Sequence, residues 1–561
     1  MTIGYYTAAH DFVRLERLPF TLRELDGQPA GELSGRGFAA MATARVMRAA
    51  QSFFDLPTPS RGRTSRVGDE RVRRDELAQL LSRKPIAVYE DTDSGLLRVQ
   101  YREVVVRFKP ETSARRRAEI LGESGLSLRS RSPLAPDQIV AYDAERRQTG
   151  DDLVRAAARL AETDGVAFAT PNFVSQYRRG ARTARPRPPR SQWHLPLVGA
   201  FAAWRTTRGK PSITIAIVDD GVDLAHPDLR ANLRVRPDPR ERRDKSGRDF
   251  FLRDTDPGHF DPSPKRFRAP FDRMSGNDIH GTCCAGVAAA RGPHAFGIAP
   301  RCRILPVKVF HADDLAPDAQ VADAIRYAAR HADVISCSWS GPRSPDLEFA
   351  LRDAQADGRD GRGAIVVGAS GNEDDSRVCY PAADPNAIAV GASTDEELLA
   401  SYSNRGVQVW VVAPSDGGDE AVYTCDVSAA GRGFNGGKQA AGGRNGLCTN
   451  DFGGTSSATP LVAGLCALLL SVDPTLTLGQ VRAVLKATAR KIGPASAYDP
   501  NGHSTRYGWG RIDAAAAVAM VAEGLRANKK RSAPKARSRA TPVTRERDAL
   551  PLSARSATPR R

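Results

Sequence analysis

From residue 193 to about 520, short apolar runs rich in β-branched residues alternate with longer segments of helical period. ITIAIV at 213–218, ILPVKV at 304–309, VIS at 334–336, AIVV at 364–367 and AIAV at 387–390 lack polar alternation. Runs of that kind predict strands buried on both faces. Helical patterns separate them, among them 321–329 and 460–470. The order predicts an α/β fold, a mostly parallel sheet with helices on both faces, with reactive residues at the carboxyl ends of the strands. An earlier stretch has another texture. EVVVRF at 103–108, a helical period at 112–124, IVAY at 139–142, a helix at 151–163 and VAFAT at 166–170 follow one another. Leu153, Ala157 and Leu160 share one face of that second helix. This predicts a small α+β sandwich closing at Pro171-Asn172-Phe173.

The chain therefore divides into 1–95, where no period or chemistry is legible; the α+β unit, 96–174; an Arg/Pro-rich linker, 175–191; the α/β unit, 192–522; and a basic tail, 523–561, expected to be disordered. Its 561 residues, 41% hydrophobic and 26% charged, exclude wholesale disorder and a small disulfide scaffold. The net charge of +17 invites a nucleic-acid partner until it is located. Residues 178–190 hold six Arg and no acid, and 526–561 hold twelve Lys or Arg against Glu546 and Asp548. Nearly all the excess thus lies in segments that cannot bury a core, and no specific nucleic-acid binding is expected. No run of about 18 uninterrupted apolar residues occurs, so no transmembrane segment is expected. The first thirty residues lack the basic start and apolar run of a secretory leader, so a cytoplasmic location is the default, with secretion by an unrecognised route as the alternative.

Three segments carry candidate chemistry. Asp219-Asp220-Gly221 follows an apolar strand, and a carboxylate there can orient an imidazole, although Asp-Gly after a strand is also an ordinary turn. His280-Gly281-Thr282 opens a run of small residues, where a His can equally be a cap. In 453–460, GGTSSATP, a Ser opens a strongly apolar helix, so its hydroxyl feels the positive helix end, or simply caps it.

Taken in chain order, these segments resemble the subtilisin-like serine proteases (subtilases). The motifs are IAIVDDGVDLAHPDL, HGTCCAGVAAA and FGGTSSATPLVAG, with VISCSWSGP, GAIVVGASGNEDD and YPAADPNAIAVGAS between them. The double Asp, Cys284 four residues after His280 and the SCSW segment are closest in texture to the kexin/furin branch. The resemblance implies an Asp-His-Ser triad of Asp219, His280 and Ser456, an acyl-enzyme, and Asn372 as side-chain donor of the oxyanion hole. It implies that Ser338, Trp339, Ser340 and Gly341 pair with an extended peptide or protein substrate. It further implies that the α+β unit is a βαββαβ propeptide, an intramolecular inhibitor of a self-inhibited precursor, and that the mature enzyme begins near Gln192. No cofactor is implied for catalysis. Asp228 matches a family calcium ligand, but the partner loop 291–295 looks shortened, so structural calcium stays open.

The resemblance breaks at the specificity pocket. Where furin-like enzymes carry acids, this chain has Pro342-Arg343-Ser344 and Val378-Cys379-Tyr380, so dibasic preference does not transfer. An apolar residue before the scissile bond is expected, with self-cleavage after Phe173 or Tyr177, while Glu373, Asp374 and Asp375 remain within reach of the rim. All eight Cys lie in 283–466 without a C-x-x-C pair, which argues against zinc. Cys284 is expected beside His280, as a free thiol or as inert packing. Cys425 and Cys448 flank a Gly-rich insert and are candidates for a bridge in an exported protein. The expected activity is that of a monomeric serine endopeptidase. A peptide ligase using the same acyl-enzyme and a non-catalytic binding protein are the alternatives.

Overall fold

The computed structural model describes residues 2–6, 12–17, 87–145, 147–179, 192–234, 248–250, 278–310, 315–428, 433–434 and 446–532. The linker from 180 to 191, the tail from 533 and most of 1–86 lie outside the described residues.

The first sheet contains β1 (Thr2–Tyr6), β2 (Phe12–Arg17), β3 (Ala87–Asp91), β4 (Leu97–Phe108), β5 (Ser127–Arg131), β6 (Gln138–Tyr142) and β7 (Val166–Gln176). All its pairings are antiparallel, and β4 is its hub. Helices α1 (Ala114–Glu123) and α2 (Gly150–Ala161) cover one face. Leu153, Ala157 and Leu160 of α2 pack with Val104, Val106 and Ile139, burying the stripe that its spacing predicts. A capping box between Thr149 and Asp152 starts the helix.

Two features differ from the sequence reading. The sheet extends N-terminal of residue 96 through β1, β2 and β3. Strand β7 also runs past Phe173, because Phe173, Val174 and Ser175 pair with Arg98, Val99 and Gln100.

The second sheet is parallel throughout. Its members are β9 (Thr214–Asp219), β10 (Arg248–Asp249), β11 (Arg303–Lys308), β13 (Val334–Cys337), β15 (Ile365–Ala369), β16 (Ala387–Ser393) and β17 (Val409–Pro414). Their spatial order is β10-β11-β9-β13-β15-β16-β17. Short strands lie outside it: β8 (Arg178–Arg179) pairs with β14 (Trp339–Ser340), β12 (Leu315–Pro317) with β7, and β18 (Val422–Cys425) with β19 (Cys448–Phe452). Helices α3 (His280–Ala289), α4 (Asp318–His331), α5 (Pro345–Gly361), α6 (Thr455–Val472), α7 (Leu478–Thr488) and α8 (Ala514–Ser532) follow in chain order.

Alternation along β9 shows the layering. Ile215 and Ile217 pack with α3 and α6, whereas Ala216 and Val218 pack with α4 and α5. Helix α6 is apolar and long enough to cross a bilayer, yet 94% of it is buried in the protein, as a core helix is. Helix α8 continues to Ser532, beyond the expected start of the tail.

The first unit docks on α4 and α5 of the second. Fully buried Arg98 reaches Asp91 at 2.9 Å, Asp318 at 3.5 Å and the Arg343 carbonyl at 2.6 Å. Phe168 stacks on Phe349 at 4.7 Å beside the Arg107–Asp353 ion pair.

Candidate active site

Asp219 is the last residue of β9, His280 the first of α3 and Ser456 the second of α6. Both oxygens of Asp219 face His280 Nδ1, at 2.9 and 3.0 Å. The neighbouring Asp220 does something else: its carboxylate accepts the backbone N–H groups of His280 (2.9 Å) and Gly281 (2.7 Å), holding the start of α3. A Cβ at Gly281 would sit 2.3 Å from the Gly221 carbonyl, so only glycine lets the helix approach this turn. His280 Nε2 is buried without a hydrogen-bond partner. Ser456 Oγ donates to the Ser338 carbonyl at 2.9 Å, and Ser338 Oγ donates to the Ser456 carbonyl at 3.1 Å.

Cys284 lies where the sequence suggests. Its Sγ is 3.7 Å from Asp219 Oδ2, 3.7 Å from His280 Nδ1 and 3.8 Å from the Ser456 carbonyl, so one sulfur atom touches all three residues. Burial, reinforced by the Asp219 charge, pushes this thiol well above its ordinary pKa, so it is a neutral packing group. Asn372 lies just beyond β15, and its Oδ1 accepts the backbone N–H (2.8 Å) and hydroxyl (2.9 Å) of Thr455. With the amide oxygen held, the amide NH2 is turned away from Thr455.

A brace behind Ser456 was not read from the sequence. Asp416 Oδ1 accepts the Gly454 N–H at 2.9 Å, and Ser415 Oγ donates to the Gly454 carbonyl at 2.7 Å. The Tyr402 hydroxyl bonds to Asp416. A Cβ at Gly453 would overlap the Asp416 carboxylate at 2.1 Å. These partners lie 37 or more residues upstream of Gly453, with no local signal to join them.

The segment 338–341 is already in use. Arg179 pairs with Trp339 and Arg178 with Ser340, antiparallel. Tyr177, 1% exposed, sits against Gly341, between Trp339 (5.5 Å) and Phe310 (5.2 Å), and its hydroxyl donates to Asp318 at 2.8 Å. Arg178 reaches Glu373 at 3.4 Å. The chain's own residues 177–179 thus lie along the edge expected to hold substrate. Of the positions that lack the furin-like acids, Arg343 is engaged by Glu348, and Val378 is buried beside Val409, Val412 and Tyr507.

Asp228, the candidate calcium ligand, is fully buried. Its Oδ2 accepts the N–H groups of His294 (3.2 Å) and Ala295 (2.8 Å), and its carbonyl accepts that of Arg291 (2.7 Å). The shortened loop is thus tied to Asp228 by hydrogen bonds. The other candidate ligand atoms beside it are on His226 and Cys425, a nitrogen and a sulfur rather than the oxygens that calcium takes. Among the described residues, these side-chain donors do not suit calcium.

The model of the subtilase family matches residues 210–510. The chain is 30% identical over 544 residues to the calcium-dependent protease of Trichormus variabilis, covering 87% of this chain and 75% of that protein. It is 28% identical over 358 residues to kexin of Saccharomyces cerevisiae, covering 59% of this chain and 39% of that protein. Among solved structures, fervidolysin of Fervidobacterium pennivorans superposes with a TM-score of 0.58 at 21% identity, over 77% of this chain and 62% of that one. That likeness shows the fold.

Proposed function

The chain belongs to the subtilase family and is a serine-type endopeptidase, and on that footing we propose that Asp219, His280 and Ser456 are its catalytic residues and that it is made as a self-inhibited precursor. Ser456 Oγ attacks the scissile carbonyl while His280 Nε2 takes its proton. Asp219 fixes the tautomer by accepting from Nδ1 and stabilises the imidazolium that forms. The oxyanion is received by the Asn372 amide N–H and by the backbone N–H of Ser456 at the start of α6. His280 then hands the proton to the leaving amine, and water repeats the sequence on the acyl-enzyme. Because Ser456 Oγ rests on the Ser338 carbonyl, a substrate N–H claiming that carbonyl competes for it and frees the hydroxyl to turn toward His280. The observation that carries the reading is the single sulfur, Cys284 Sγ, within 3.8 Å of all three residues.

The pairing of 178–179 with 339–340 supports the inhibited precursor. Cleavage after Phe173 does not suit a residue buried within the first sheet. Cleavage after Tyr177 does not suit a residue seated against Gly341, three residues along the edge from Ser338. The calcium dependence in the name of the Trichormus protein is not carried over to Asp228, whose donors do not suit that ion. The test is product analysis by mass spectrometry with a long peptide substrate. Hydrolysed fragments that disappear with Ser456→Ala are expected; transpeptidated products would instead favour a ligase.

A further inference from the structure

Residues 177–179 show what the 338–341 edge holds when a chain lies along it. The Tyr177 ring fills the space that a side chain at Gly341 would occupy: a Cβ there would lie 2.3 Å from Tyr177 Cδ1. Trp339 and Phe310 wall the same space and pack edge to face with each other at 5.3 Å. The Trp339 ring is fixed, because it is buried and its Nε1 donates to the Val218 carbonyl of β9 at 2.8 Å. Walls of this kind accept any large ring. The far end of the space is more particular. Asp318, the first residue of α4, is buried and accepts the Tyr177 hydroxyl at 2.8 Å, while the positive end of the helix favours its charge. The other side-chain hydrogen bond to this carboxylate comes from Arg98 of β4, at 3.5 Å. Arg98 sits closer to Asp91, at 2.9 Å, and to the Arg343 carbonyl, at 2.6 Å, so Tyr177 is the tighter partner. Both donors precede residue 180, whereas the acceptor and its aromatic walls belong to the α/β unit.

Resting on the reading that this edge holds substrate, we propose that Asp318 makes the enzyme selective for peptides carrying a tyrosine, rather than a phenylalanine, at the place opposite Gly341. A substrate tyrosine takes over the position of Tyr177 and gives its O–H to the carboxylate. A phenylalanine fills the same walls but covers the carboxylate without giving it a donor. An acceptor left unpaired in this way discriminates between substrates more strongly than a small difference in apolar bulk. An aliphatic residue forfeits both the donor and the ring contacts to Trp339 and Phe310. Asp318 is therefore a specificity-determining residue at the end of the pocket away from the backbone edge.

The test uses the active enzyme obtained from the full chain and fluorogenic peptides of one parent sequence. Tyrosine, phenylalanine, O-methyltyrosine or arginine is placed in turn at each position on the amino side of the cleaved bond, which mass spectrometry maps. At one position, kcat/KM for tyrosine should exceed that for phenylalanine about tenfold, the scale of a hydrogen bond to a charged acceptor. O-methyltyrosine, which keeps the ring but has no O–H to give, should fall to the phenylalanine level or below. Asp318→Leu should bring the tyrosine-to-phenylalanine ratio to about one. If that variant does not mature, the O-methyltyrosine comparison on the wild type decides. The inference is overturned if no position favours tyrosine by more than about twofold, if O-methyltyrosine matches tyrosine, or if the preference survives Asp318→Leu. Arginine cleaved faster than tyrosine at the selecting position would make Asp318 a counter-ion instead and also overturn it. Each of those results leaves Ser456-dependent cleavage standing, whereas cleavage undiminished in Ser456→Ala would overturn the proposed site together with this inference.

Discussion

Tyr177→Ala probes how firmly the chain covers its own active site. The side chain is 1% exposed, makes edge or tilted contacts to Trp339 and Phe310, and donates to Asp318. Truncating a buried aromatic to alanine costs about 3–5 kcal/mol when the cavity persists. Some of that falls on the body of the enzyme, so about 3 kcal/mol is a fair charge against docking of 177–179. That raises the open fraction of the precursor roughly 150-fold, at 1.4 kcal/mol per tenfold. The assay is the rate of fluorophosphonate labelling of the precursor-sized band, taken before processing. Wild type should label slowly and Tyr177→Ala much faster, up to the limit set by a fully open site. Tyr177→Phe, which loses only the bond to Asp318, should lie between them. A labelling rate unchanged by Tyr177→Ala, in protein whose circular dichroism is native, would refute the idea that this segment obstructs Ser456.

Three further outcomes follow from the same geometry. Asn372→Ala should lower kcat about 100- to 1,000-fold with little change in KM, as loss of one oxyanion donor does; steady-state kinetics on a peptide substrate checks it. His194 is buried with neither ring nitrogen hydrogen-bonded, and burial lowers its pKa to about 3. Its neutral form is the one that folds, so stability is complete above pH 6.5 and falls as the pH drops toward 3, by about 2–3 kcal/mol at pH 4.5. Denaturant unfolding should show that loss, and His194→Leu should flatten it. Glu373→Gln should weaken selection for a basic residue at the place along the 338–341 edge that Arg178 occupies, by about two- to fivefold in a peptide library, the scale of an exposed ion pair.

How much of this was legible in the sequence depends on how local each signal is. Five of the seven strands of the parallel sheet, β9, β11, β13, β15 and β16, are continuous apolar runs and stand within a residue or two of where the sequence puts them, except that β16 runs on to Ser393; β17 and the Arg-Asp pair of β10 were not read. The α2 stripe of Leu153, Ala157 and Leu160 was equally plain, and the three segments bearing Asp219, His280 and Ser456 are recognisable once taken together in chain order, although each alone reads as well as a turn or a cap. Strand β5, SLRSR, has almost no apolar signal and exists through its ladder with β6. Strands β1 and β2 gain a sheet only through β3, some seventy residues later. The Asp416 brace, the strap of 177–179 and the cluster of His226, Asp228 and Cys425 each join distant segments, and no periodicity reports such a meeting. Residues Arg343 and Val378 were weighed as pocket walls from their places in a motif, whereas one is held by Glu348 and the other is buried in a separate cluster.

The central claim, that Ser456 is the nucleophile activated by His280 and Asp219, is tested most directly by mapping a fluorophosphonate adduct to a residue by tandem mass spectrometry. The account predicts one adduct, on Ser456, absent in Ser456→Ala and strongly reduced in His280→Ala. An adduct on Ser457 or another serine, or undiminished labelling of Ser456→Ala, would contradict it.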